Sequence, residues 1–133
     1  MDDQHQAGKL GNSTAYYNIG NAYKNGEGLE VDKEKAKYYY ELAAMKGDVK
    51  ARNNLGVEEV NTGKYDRALK HFMIAVEGGN NYSLETIRKM VRNGHATKDD
   101  YSKALITYQE YLNEIKSDQR DKVATADGHC KYY

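Results

Sequence analysis

Apolar residues recur between positions 15 and 23 at helical spacing. Ala15, Tyr16, Ile19, Ala22 and Tyr23 fall at i, i+1, i+4, i+7 and i+8, the stripe of an amphipathic helix. Asn25-Gly26-Glu27-Gly28 ends that helix, because glycine suits a helix C-cap and weakens a helix interior. A charged run follows. Asp32 then offers an N-cap for a second helix, with Lys35 where a capping box would place Glu, so the box is incomplete. The second helix carries Ala36, Tyr39, Tyr40, Ala43 and Ala44 on one stripe and stops at Gly47. Neighbours on a helix point about 100° apart, so the three tyrosines 38–40 cannot share one surface. Tyr39 and Tyr40 face the stripe, and Tyr38 belongs at its margin or in solvent. Small Ala beside large Tyr is what close helix packing requires.

The same grammar returns twice. Gly11, Ala15, Ile19, Gly26, Asp32, Ala36 and Tyr40 map onto Gly79, Ser83, Ile87, Gly94, Asp100, Ala104 and Tyr108 with one constant shift. A middle copy runs through Gly47, Ala51, Leu55-Gly56, Gly63, Arg67-Ala68, Phe72 and Ala75, with a shorter loop. The repeats are read as about 11–46, 47–78 and 79–114. A single helical hairpin cannot bury its stripe, and about three stacked copies is the usual minimum for stability. Tyr111, Leu112 and Ile115 prolong the last stripe, and the polar KSDQRDK run makes 115–126 a capping helix. Residues 127–133 are read as a tail. Residues 1–10 are read as the remnant of an earlier repeat.

The first copy, AYYNIGNAYKNGEGLEVDKEKAKYYYELAAMKGD, resembles the Sel-1-like repeat, a relative of the tetratricopeptide repeat. The match falls at Ala15, Ile19, Gly20, Tyr23, Gly26, Gly28, Leu29, Asp32, Lys35, Ala36, Tyr39, Tyr40, Ala43, Ala44 and Gly47. The second copy departs, with Glu59 for the tyrosine. The third has Ile87-Arg88 for the Leu-Gly pair and Ala96 for the second loop glycine. The resemblance implies an all-α fold, a right-handed superhelical solenoid of three helix-hairpin repeats with a polar C-terminal capping helix. It implies a scaffold or adaptor for proteins rather than an enzyme. ATKDDYSKALITYQEYLNEIKSDQRDK also resembles the end of an algal group of such proteins, whose longer members carry a RING-type zinc finger upstream. An alternative reading is therefore the substrate-recognition part of a ubiquitin-ligase-like protein. A third, the β-lactamase-like hydrolases among Sel-1-like proteins, uses paired cysteines that this chain does not have.

Composition narrows the classes. Lys plus Arg equals Asp plus Glu at 20 each, so no global positive field draws the chain to nucleic acid or anionic lipid. Apolar residues reach only 39%, yet tyrosine occurs 13 times and tryptophan never. That favours a thin aromatic core whose hydroxyls reach water. Proline is absent, which suits a mostly helical chain. Cys130 is the sole cysteine, so no intrachain disulfide forms. The polar opening MDDQHQAGKLGN lacks a signal-peptide core, no window approaches a membrane span, and the setting is read as cytoplasmic or nuclear. The sequons at Asn12 and Asn81 are then chance matches.

By resemblance to tetratricopeptide geometry, the partner-binding surface is the concave face of the first helices. Its exposed positions are Thr14, Tyr17, Asn21 and Lys24, then Lys50, Asn53, Val57 and Val60, then Tyr82, Glu85, Lys89 and Arg92. Tyr17 and Tyr82 stand out, since exposed Tyr flanked by Lys and Asn can hold an extended peptide. Asn21, Lys50 and Asn54 make only an incomplete carboxylate clamp. Gly26-Glu27-Gly28 is a turn rather than a phosphate loop, which needs a GK[ST] run opening a helix. His129-Cys130 has no second ligand pair at metal spacing, and His71 is read as structural. No catalytic constellation emerges, and neither a cofactor nor a small-molecule substrate is expected.

Overall fold

The computed structural model describes residues 9–127, with side chains from 12 to 117. Six helices follow one another: α1 (Lys9–Asn25), α2 (Lys33–Met45), α3 (Val49–Asn61), α4 (Tyr65–Glu77), α5 (Asn81–Arg92) and α6 (Lys98–Asp127). They pair as hairpins α1–α2, α3–α4 and α5–α6. Successive hairpins meet where α2 packs on α3 and where α4 packs on α5 and α6. The fold is an all-α solenoid. The segment before Lys9, the tail beyond Asp127, His5 and His129-Cys130 lie outside the described residues. The side chains of the capping segment beyond Ser117 do too.

Local chemistry sets the helix ends. Asp32 accepts from the Lys35 N–H at 3.1 Å, and Asp48 accepts from Ala51 at 2.9 Å. At α6, Thr97 and Asp100 cap each other reciprocally, at 3.0 and 2.9 Å, a capping box that fixes where the longest helix begins. Gly47 and Gly79 end the hairpins with φ of 99° and 91°, a left-handed conformation that side chains with a Cβ resist.

Two clusters make up the core. One joins Ala36, Tyr40, Ala43 and Ala44 of α2 to Ala51 and Leu55 of α3, with Tyr16, Tyr17 and Tyr23 packed against it. The other joins Ala68, Phe72 and Val76 of α4 to Leu84, Ile87 and Met90 of α5 and Ala104 of α6. The tyrosine triplet divides as its angles require. Tyr40 is buried and Tyr38 is exposed. Tyr39 lies stacked on Tyr23, with ring centroids 5.8 Å apart.

Each of the first two hairpins is closed by a ring lying on a glycine. The Tyr40 ring covers Gly20, and Phe72 covers Gly56. A Cβ built on Gly56 would stand 2.5 Å from a carbon of the fully buried Phe72 ring. The third copy has Arg88 and Tyr108 at these register positions, and Tyr108 is only half-buried. Alanine normally strengthens a helix by about 1 kcal/mol over glycine. Gly56→Ala is nevertheless expected to destabilise the fold by a net of about 1–2 kcal/mol, because overpacking a closed core costs more than that gain. A urea midpoint equal to or above that of the parent chain would contradict this.

One stripe differs from expectation. Ala15 and Ile19 are exposed, whereas their equivalents Ala51, Leu55, Ser83 and Ile87 are buried. Among the described side chains of α1, the buried positions are instead Ser13 and Gly20. Periodicity identifies the apolar face of a helix but not the neighbour that covers it. α2 covers α3 and α4 covers α5, and no described residue does this for α1.

Candidate functional site

The first helices α1, α3 and α5 present their N-terminal halves to a shared groove of about 600 Å³. Tyr17, Val49, Lys50, Asn53, Asn54, Gly79, Asn80, Asn81 and Tyr82 line it. A hollow of about 340 Å³, bounded by Thr14, Tyr17, Asn18, Val49 and Lys50, continues it along α1. Asn80 caps α5, accepting from the Ser83 N–H at 2.7 Å. The buried Ser83 hydroxyl donates to Asn53 Oδ1 at 2.8 Å, tying α5 to α3. That bond occupies the Asn53 carbonyl and leaves its amide N–H groups as the donors at the groove wall. Tyr17 rests against Tyr40 with centroids 5.9 Å apart, while Tyr82 is 77% exposed.

Of the positions expected on this face, Thr14, Tyr17, Lys50, Asn53 and Tyr82 come together in the groove and its continuation. Lys24, Lys89 and Arg92 are exposed but line neither hollow. Glu85 pairs with Arg88 of its own helix at 2.9 Å, an exposed pair of small energetic weight. The expected exposure is corrected at Tyr17, Asn21, Asn53, Val57, Val60 and Glu85, all of them half-buried. Asn21 accepts the Tyr40 hydroxyl. Val57 and Val60 pack against the second core cluster, because the hairpin turns that side of α3 toward α4–α6. Val49, Asn80 and Asn81 were missed. Helix periodicity does not point to them, because in a solenoid the helix starts and the turns before them also edge the groove.

The opposite side has a different character. A hollow of about 300 Å³ between α2, α3 and α4 is bounded by Lys33, Lys37, Lys64 and Arg67 and by Glu34, Glu41, Glu58 and Glu59. The charges balance, and several serve structure. Glu59, 7% exposed, receives Arg67 Nε at 2.8 Å. His71 Nδ1 lies 3.5 Å from Arg52 Nη1. Burial, then the Arg52 guanidinium, pushes the His71 pKa below its ordinary value, with Arg67 acting the same way and Glu59 and Glu41 opposing.

The neutral imidazole is therefore the form the fold prefers. Its contribution is complete above the unfolded value near 6.5 and is lost as pH falls through that value toward the lower folded one. Thermal midpoints are expected to decline below about pH 6.5, and His71→Gln should flatten that part of the profile. Identical profiles for the two proteins between neutral pH and pH 5 would contradict this.

Among the described residues no group of three or more His, Cys, Asp or Glu could hold a metal ion. No described helix is long and apolar enough to cross a membrane.

Comparison with known proteins bears on the hairpins rather than on the groove. Residues 13–48 match the model of the Sel1 repeat. A putative sel1-like repeat-containing protein, L21, of Acanthamoeba polyphaga mimivirus is 36% identical over 62 residues. That similarity spans 47% of this chain and 12% of the viral protein, so the chain corresponds to a small part of that relative's length. No solved structure matches.

Proposed function

We propose that this chain, which carries a Sel1 repeat, is an adaptor that holds an extended segment of a partner protein in the groove along α1, α3 and α5. Sel1 repeats are generally protein–protein interaction modules. The observation that carries the reading is the groove's make-up: Tyr17 and Tyr82 bracket Lys50 and the amides of Asn53, Asn80 and Asn81. Side-chain amides can donate to and accept from a peptide backbone. Tyrosine rings supply contact area with little rotamer entropy to lose. Lys50 favours a partner with a carboxylate nearby. An exposed aromatic beside such polar groups is a typical binding hot spot.

The test is affinity capture from native lysate on the immobilised chain, with mass spectrometry, repeated with Tyr82→Ala and Lys50→Glu. Both side chains are exposed, so neither change should disturb the fold, which circular dichroism checks. Captured partners are expected to weaken at least about tenfold with Tyr82→Ala, as loss of a hot spot implies. Partners retained equally by all three proteins would place the binding surface elsewhere.

A further inference from the structure

Consecutive hairpins of this chain meet through one register of positions. Where α4 covers α5, the covering helix offers Tyr65, Leu69, Phe72 and Val76, and the covered helix offers Leu84, Ile87 and Met90, all in a single apolar cluster. Where α2 covers α3, the register begins with Lys33 and Lys37 on one side and ends with Glu58 on the other, and the charged hollow results.

The first and last described helices carry the same register. At the covering positions α6 has Tyr101, Leu105, Tyr108 and Leu112. Leu105 is 37% exposed, and Ile115, one turn beyond Leu112, is 36% exposed. At the covered positions α1 has Tyr16, Ile19 and Ala22, with Ile19 36% exposed. Both ends are thus of the apolar kind found at the α4–α5 junction. The tyrosine and leucine that begin that junction, Tyr65 and Leu69, recur at Tyr101 and Leu105. Tyr16 packs against the first core cluster and Tyr101 and Tyr108 against the second, so Ile19, Leu105 and Ile115 are the parts of these faces left open among the described residues.

We propose that a second copy of this chain stacks on the first head to tail, α6 of one copy covering α1 of the next. The contact continues across molecules the interface that α4 and α5 make within one. Because the two patches differ, the contact is heterologous and propagates into rows rather than closing as a two-fold pair. The formal net charge of zero puts no global repulsion in its way.

Sedimentation velocity of the whole chain from the micromolar to the millimolar range reads this out. The parent protein is expected to form a concentration-dependent ladder of species. Ile19→Asp blocks the α1 end and Leu105→Asp blocks the α6 end, because each sets a charge in an apolar contact. Either variant alone should weaken self-association at least about tenfold. An equal mixture should recover dimers and nothing larger, since each variant retains the face the other lacks. The milder pair Ile19→Ser and Leu105→Ser serves if circular dichroism shows an aspartate variant unfolded. A parent chain that stays monomeric throughout overturns the proposal, as when residues 1–8 of its own chain cover α1. So do dimers of one variant alone, which indicate a two-fold contact, or a mixture that remains monomeric.

Discussion

Phe72→Ala is expected to lower the unfolding free energy by about 3–5 kcal/mol, the range for deleting a fully buried aromatic ring. Three features put it toward the upper end. The side chain is fully buried. One ring face lies on Gly56, which has no side chain to relax into the space. It belongs to the core cluster with Ala68, Val76, Leu84, Ile87, Met90 and Ala104, which come from α4, α5 and α6. The void would therefore open at the junction of two repeats. Solenoid stability is a sum of repeat terms and nearest-neighbour interfaces, and this substitution damages both kinds. Domains of this size hold only about 5–15 kcal/mol in all. A urea titration followed by circular dichroism should show the midpoint fall by a large part of its parent value. A loss under about 1 kcal/mol would mean the second and third hairpins stand independently of that ring.

The pairing of Phe72 with Gly56 was legible in the sequence only as register. The repeat pattern placed a glycine on the first helix of the first two copies and an aromatic on each second helix, and it identified the helices that pair. It did not say that ring and glycine touch, because contact across a hairpin depends on how far apart the two helices sit. Glu59 was legible only as a departure, a carboxylate where the first copy has Tyr23. Its burial depends on Arg67 reaching back from α4 at 2.8 Å, and no spacing rule within one helix gives that pair. The groove was half legible. Tyr17, Lys50, Asn53 and Tyr82 followed from helix periodicity, while Asn80 and Asn81 belong to a turn and the helix start after it, and period carries no information there. Val57 and Val60 were assigned outward by analogy with a different repeat, and the packing of α3 against the later helices turned them inward.

Tyr40 gives the second large prediction, and it separates ring from hydroxyl. Tyr40→Ala is expected to cost about 3–5 kcal/mol, as at Phe72. Tyr40→Phe keeps the ring on Gly20 and removes only oxygen. That hydroxyl donates to Asn21 of α1. It ties the two helices of the first hairpin together. Burial pushes its pKa up, and the Asn54 side chain of α3 acts against that. Deleting the hydroxyl leaves the partly buried Asn21 amide short of a partner, a loss of about 1–3 kcal/mol. The second copy has solved the same site without polarity. Phe72 replaces Tyr40, and Val57 stands at the register position of Asn21. Phe72→Tyr should therefore destabilise as well, by burying a hydroxyl beside Val57. Each exchange makes the two repeats more alike, yet both are expected to lower the urea midpoint. If either raises it, the hydroxyl and its amide are not a matched set, and the ring alone holds the first two hairpins together.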